Sequence, residues 1–194
     1  IYDPPPLLYV LGEIRGGDDL AVAIVGARMA SEYGKMATGK ISYGLAEKGV
    51  TIVSGMARGI DSFAHRGAIE AKGRTLAVLG CGIDIVYPPE NRTLYSEIVS
   101  HGAVISEFPM STPPLPGNFP KRNRIISGLT LGVVVVEASS KSGSLITARL
   151  ALEQGREVFA VPGSVDSTRS KGTHHLIKQG AKLVEDEEDI LSEI

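Results

Sequence analysis

Gly132-Val133-Val134-Val135-Val136-Glu137 sets four consecutive valines between a glycine and a glutamate. A β-branched run with no polar alternation suits a strand covered on both faces, and such strands belong to parallel sheets packed between helices. Outward from it, Ala21–Val25, Thr51–Ser54, Thr75–Leu79, Ala103–Ser106, Glu157–Val161 and Lys182–Val184 read as further strands. Between them Glu32–Lys48, Asp61–Lys72, Asn91–His101, Leu145–Gln154 and Thr173–Gln179 read as helices, closed by Gly49, Gly73, Gly102, Gly155 and Gly180. The alternation predicts an α/β fold: a doubly wound, mostly parallel sheet with helices on both faces.

The 194 residues fit one domain over positions 1–194, with 1–20 as an N-terminal lead-in and 185–194 as an acidic C-terminal tail. Hydrophobic residues make up 43% and charged ones 22%, which excludes a disordered chain, and no apolar run reaches the roughly 20 residues a bilayer span needs. A soluble chain is expected. Ile1 to Leu11 carries Pro4, Pro5 and Pro6 and lacks the basic and apolar regions of a signal peptide. Cys81 stands alone, so no intramolecular disulfide forms, and a reducing cytoplasm fits. Between Gly80 and Gly82 it reads as a small buried residue. His65, His101, His174 and His175 are scattered and form no metal-ligand spacing, so neither metal nor cofactor is expected.

Net charge is only −2, but the tail from Glu185 holds six of the 22 acids and none of the 20 bases, leaving the body at +4. A local patch, not this average, decides whether a polyanion docks. Phe119-Pro120-Lys121-Arg122-Asn123-Arg124 gathers three cations beside a ring with no carboxylate, and the prolines at 113, 114, 116 and 120 discourage helix before Lys121. Lys121, Arg122 and Arg124 are therefore expected at the end of a loop, either as a docking point for an anion or as a solvated basic loop. Phe119 reads as a base-stacking ring or as a packed one.

In a parallel sheet the loops after the strands emerge at one carboxyl edge. Those loops hold Gly26-Ala27-Arg28, Gly55 to Asp61 with Arg58, Gly80-Cys81-Gly82 and Lys141-Ser142-Gly143-Ser144, so cations from four places are expected on one rim. Glycine, 23 of 194 residues or about 12% against an ordinary 7%, clusters in these turns. Ser142 to Ser144 reads as a helix cap or as a phosphate cradle of free N–H groups. Asp61 and His65, four apart, read as a helix-start carboxylate near a satisfied histidine before any acid–base pair. Gly26-Ala27-Arg28 lacks the further glycines of a dinucleotide loop, and neither a Walker A loop nor Gly-x-Ser-x-Gly occurs.

Five ordered stretches carry a family resemblance: Val22 to Arg28, Val53-Ser54-Gly55-Met56-Ala57-Arg58-Gly59-Ile60-Asp61 through His65, Arg122 to Gly128, Ser142 to Ala148 and Gly155 to Gly163. Together they resemble the DprA (Smf) family of DNA-processing proteins over nearly the whole chain. The resemblance implies an extended Rossmann-like domain that binds single-stranded DNA, forms a homodimer and loads the RecA recombinase in natural transformation, without catalysis. Arg28 stands where the family has the arginine of a Gly-Ser-Arg turn, with Ala27 in place of the serine. Arg122-Asn123-Arg124 and Lys141 fit the family's basic DNA pocket, while Gly172-Thr173-His174-His175 departs from its Gly-Thr-Asn pattern. Flanking domains usual in the family, sterile-alpha-motif-like before and winged-helix-like after, are not visible in these residues. The rival reading is a nucleotide-processing hydrolase resembling the lysine-decarboxylase-like phosphoribohydrolases. Their Pro-Gly-Gly-x-Gly-Thr-x-x-Glu motif falls near Ser142 to Arg149, where the glutamate is missing.

Overall fold

Eight strands join in one sheet in the computed structural model, which describes residues 1–194: β1 (Tyr9–Gly12), β2 (Ala21–Val25), β3 (Thr51–Ser54), β4 (Thr75–Val78), β5 (Gly102–Ser106), β6 (Gly132–Val135), β7 (Glu157–Ala160) and β8 (Lys182–Leu183). Their order is β1-β5-β4-β3-β2-β6-β7-β8. All neighbours run parallel except β1, which pairs antiparallel with β5. The doubly wound, mostly parallel sheet read from the valine run is the fold found. Val133 and Val135 pack against one helical layer while Val134 and Val136 pack against the other, and all four are buried. A strand with helices on both sides has no wet face on which a polar residue would be favoured.

Helices α1 (Glu32–Glu47), α2 (Ile60–Glu70) and α3 (Arg92–His101) lie on one face, bringing Ile41, Leu45, Ala64, Ala68, Leu94 and Ile98 into the core. On the other face, α4 (Asn118–Gly128), α5 (Ser144–Glu153) and α6 (Lys171–Lys178) contribute Ile125, Ile126, Ala148, Ala151 and Leu176. The expectation of a loop at Lys121 to Arg124 is corrected here, because these residues lie inside α4. Pro120 is the third residue of that helix, where its missing N–H is one the first turn leaves without an intrahelical partner anyway.

Neither end of the chain is a mere extension. Strand β1 in the lead-in covers the β5 edge, and Gly12, at φ +102°, has no room for a Cβ, which would lie 2.3 Å from the Gly102 carbonyl. Asp18 is buried and accepts from Arg74 Nε at 2.6 Å and Nη2 at 2.7 Å, from Thr51 Oγ1 at 2.8 Å and from the Arg15 N–H at 2.7 Å. In the acidic tail, Asp186 caps a short helix, α7 (Glu187–Leu191), whose Ile190 is buried against the α1 layer and whose Glu187 and Glu188 pair with Lys48.

Burial pushes the Asp18 carboxyl up, but hydrogen bonds from Arg74, the Arg15 N–H and Thr51 outweigh it and hold the group below the ordinary carboxylate range. A depressed folded pKa gives stability that is full above the unfolded value of about 3.9 and is lost as pH falls through the folded value. Asp18→Ala is expected to cost about 3 kcal/mol in urea unfolding at neutral pH and to flatten the acid limb of the stability curve, because Arg74 loses its partner in a partly buried site. Glu188→Ala, at an exposed pair, should stay within about 0.5 kcal/mol.

Candidate functional site

β2 lies between β3 and β6, and the chain leaves β2 and β6 for helices on opposite faces, α1 and α5. That divergence opens a crevice at the carboxyl edge, where open α/β sheets bind ligands. It holds a cleft of ≈ 420 Å³ whose lining includes Gly26, Arg28, Phe119, Arg122, Asn123 and the Ser142-Gly143-Ser144 turn.

One wall starts from two loops in contact. Gly59, at φ +72°, presses on the turn after β2, since a Cβ there would lie 2.3 Å from the Ala27 carbonyl, and the Ile60 N–H donates to that carbonyl at 3.2 Å. Arg28 rises from this turn into solvent with no carboxylate partner, its guanidinium 5.4 Å from the centre of the Phe119 ring. Phe119 rests on Gly80, whose added Cβ would come within 2.7 Å of the ring, and lies 5.7 Å from Tyr87. The ring both packs and lines the cleft.

Beneath the ring, Arg122 is only 4% exposed, its guanidinium 5.9 Å from the ring centre. Its Nη1 donates to the Gly55 carbonyl at 2.9 Å and to the Val78 carbonyl, and its Nε has no partner. A Cβ on Gly55 would lie 2.6 Å from Arg122 Nη1 and 2.7 Å from Asp61 Oδ2, so this glycine leaves room for the buried cation on one side and the carboxylate on the other. Burial pulls Arg122 down to about 10, which leaves it cationic at neutral pH. Burial pushes the Asp61 carboxyl up, against the pull of Arg122 and of the Ala57 and Gly55 N–H groups.

The opposite wall is the start of α5. Gly143 occupies the cap position and no side chain caps the helix, so the capping reading of Ser142 and Ser144 is corrected: their hydroxyls bond each other at 2.8 Å. The Gly143 and Ser144 N–H groups donate to nothing within the chain, and both residues line the cleft. Gly143 has an ordinary φ and open space around it, so the fold does not demand glycine there. Lys141 is exposed and unpaired on the same loop, outside the cleft lining.

The single cationic rim is corrected too. A helix turns successive residues by about 100°, so Arg122 diverges from Lys121 and Arg124, which stay on one face three residues apart. Arg124 pairs with Glu107 at 2.7 Å and with Asp3 at 3.1 Å, and lines, with exposed Lys121, a patch away from the cleft. Arg58 is exposed and paired with Glu90 beside a small recess next to Arg28. Asn123 lines the cleft from α4.

Three contributors escape the sequence reading in whole or in part. Asp61 is a helix-start carboxylate, as read, but a buried one that accepts from the Ala57 N–H at 3.4 Å and feels the nearby charge of Arg122 without pairing with it. Tyr87 supports Phe119. Glu137, which ends the valine run, is buried and accepts from the Ser31 N–H at 2.9 Å and Ser31 Oγ at 2.5 Å, which ties the start of α1 to β6. Its position directly after four valines was the available signal. His65 is half satisfied. Thr75 Oγ1 gives its proton to the Ile52 carbonyl and accepts from His65 Nδ1 at 2.7 Å, while Nε2 is buried without a partner and burial draws the ring down to about 3. Cys81 is buried and its thiol is pushed up to about 11 by burial, as its bland reading anticipated.

Residues 1–194 match the family model of DNA recombination-mediator protein A. Protein Smf of Escherichia coli K12 is 50% identical over 99% of this chain and 52% of its own length. The crystal structure of DNA processing protein A from Streptococcus pneumoniae superposes with a TM-score of 0.92 at 46% identity, covering the whole chain and 68% of that one. DNA processing protein A from Helicobacter pylori, whose structure is described for its single-stranded DNA binding mode, superposes at 0.90 with 33% identity over 99% of this chain and 88% of that one. The chain belongs to this family and spans about half the length of the Smf relative it matches.

Arg122→Ala is expected to cost about 3 kcal/mol or more in chemical unfolding, because it leaves the Gly55 and Val78 carbonyls without their buried donor and takes the nearby positive charge from Asp61. Lys141→Ala should fall within about 0.5 kcal/mol, being exposed and unpaired.

Proposed function

We propose that the cleft binds the backbone of single-stranded DNA, without catalysis, as the central step of a DNA-processing role. One observation carries the reading: an unpaired Arg28 and a buried Arg122 flank the Phe119 ring, opposite two free N–H groups at the start of α5. Cations and a helix start hold phosphate, and the ring offers a face on which one base stacks. The single-stranded DNA binding described for the Helicobacter pylori relative of the same fold supports it. Lys141 and Lys121 extend the cationic surface for a longer strand, and Arg58 and Arg124 join it where phosphate displaces their carboxylate partners. RecA loading in natural transformation and a homodimeric state belong to the same proposal and rest on family membership alone.

Fluorescence anisotropy with labelled single-stranded and duplex oligonucleotides at several salt concentrations tests the reading. Single strands are expected to bind more tightly than duplex at matched salt; equal affinity would defeat the proposal. Each phosphate contact adds about −0.7 to the slope of log K against log salt, so Arg28→Ala should weaken binding and flatten the slope by roughly that amount. Gly143→Val should weaken binding with the slope retained, since it fits the empty protein but fills the space where phosphate approaches the N–H groups. Unchanged affinity in both variants would place DNA elsewhere.

A further inference from the structure

The outer wall of the cleft, Pro114 and Pro116, belongs to the segment from Glu107 to Gly117, which forms turns but neither helix nor strand. Hydrophobic burial does not hold it, because Met110 is 62% exposed and Leu115 53%. What ties its outer bend to the body is a junction with the loop that follows β4. Asp84, on that loop, accepts from the Ser111 N–H with Oδ1 at 2.8 Å and Oδ2 at 3.1 Å, and from Ser111 Oγ at 3.2 Å. Beside it the Gly82 N–H donates to the Thr112 carbonyl at 2.9 Å. A Cβ on Gly82 would lie 2.7 Å from Asp84 Oδ1, 2.8 Å from the Pro109 carbonyl and 2.8 Å from the Ser111 nitrogen, so the two loops meet with no space between them. Ser111 is held at φ +65°, a left-handed conformation that costs a non-glycine residue about 1 kcal/mol and persists only where surroundings impose it. The same β4 loop supports the stacking ring through Gly80 and Tyr87.

We infer that Asp84 is a positioning residue for the DNA cleft: its carboxylate latches the proline wall to the loop that supports Phe119, so that wall and ring are set before the strand arrives. The inference rests on the reading of the cleft as a single-stranded DNA site. It carries an electrostatic signature of unusual sign. An exposed carboxylate near a phosphate site repels the ligand, and removing it should tighten binding if charge were its only effect. Removing a latch should weaken binding, because ordering the wall then falls to the binding step.

The experiment compares wild type, Asp84→Ala, Asp84→Asn and Gly82→Ala by anisotropy with a labelled oligothymidylate at several salt concentrations, alongside thermal unfolding. Asp84→Ala is expected to bind about tenfold more weakly with the salt slope unchanged, since no phosphate contact is lost. Asp84→Asn removes the same charge but keeps an oxygen that accepts from the Ser111 N–H, and should recover most of the affinity. Gly82→Ala, which wedges the junction apart with no change of charge, should weaken binding as Asp84→Ala does, and it decides the matter if Asp84→Ala unfolds. Faster proteolysis between Pro109 and Gly117 in the weakened variants would support the latch. Equal or tighter binding in both Asp84→Ala and Asp84→Asn, or undiminished binding in Gly82→Ala, would overturn it. Absent binding by wild type would instead overturn the site reading, so the two failures are told apart.

Discussion

A guanidinium buried beneath the carboxyl edge of the sheet sets the terms for everything around it. Arg122 has almost no water, so its charge must be answered by protein: the Gly55 and Val78 carbonyls accept from it, and Asp61 lies across the same glycine. Each answer fixes an element. The carbonyls fix the ends of β3 and β4, Asp61 fixes the start of α2, and α4 must be helical as far as position 122 for the side chain to reach them. Phe119, one turn earlier on α4, is thereby carried to the mouth of the cleft above the buried charge. A cation placed this way also acts at shorter effective screening than an exposed one, because the low-dielectric surroundings that make its burial costly strengthen its field in the cleft.

The two helix starts flanking the switch point receive opposite treatment. The start of α1 is filled by the chain's own Glu137, which accepts from Ser31 twice. The start of α5 offers Gly143 and Ser144 N–H groups with no internal acceptor and no capping side chain. A helix dipole favours negative charge at its start, and here the protein supplies that charge on one side and leaves it to be supplied on the other. The crevice thus has an open helix start on one wall facing Arg28 and Arg122 on the other, although the whole chain has a net charge of −2.

How much of this could be read in advance depended on whether local pattern and tertiary demand agreed. The four valines announce a strand covered on both faces because nothing polar competes there, and a doubly wound, mostly parallel sheet follows from alternation with helices, whereas the strand order does not. Helix α4 is hidden in the sequence because prolines at 113, 114, 116 and 120 read as one helix-breaking run, whereas Pro120 falls in the first helical turn, where proline is harmless. The same run merges Lys121, Arg122 and Arg124 into one patch: in a loop all three share a surface, whereas on the helix Arg122 parts from the other two. Strand β1 escaped because half-exposed edge strands carry little hydrophobic signal, and α7 because a string of acids hides one buried isoleucine. Glycines marked the turns correctly, but only coordinates distinguish Gly55 and Gly80, which are forced by close approach, from Gly143, which is not.

Positions in the fold likewise separate three populations of cation that composition cannot tell apart. Arg74 and Arg122 are consumed by the fold, the first holding Asp18 and the lead-in, the second holding the loops below the cleft. Arg58 and Arg124 are engaged by Glu90 and by Glu107 with Asp3, so a phosphate reaching them must displace a carboxylate and gains less than the full attraction. Arg28 and Lys141 are exposed without a carboxylate partner, and these give up only water to meet a phosphate. A rim that looks heavily charged in sequence therefore presents few ready contacts, arranged around one ring and one open helix start. Such a site grips a short stretch of flexible strand by its backbone, and the geometry of the walls, more than the number of charges, decides how tightly.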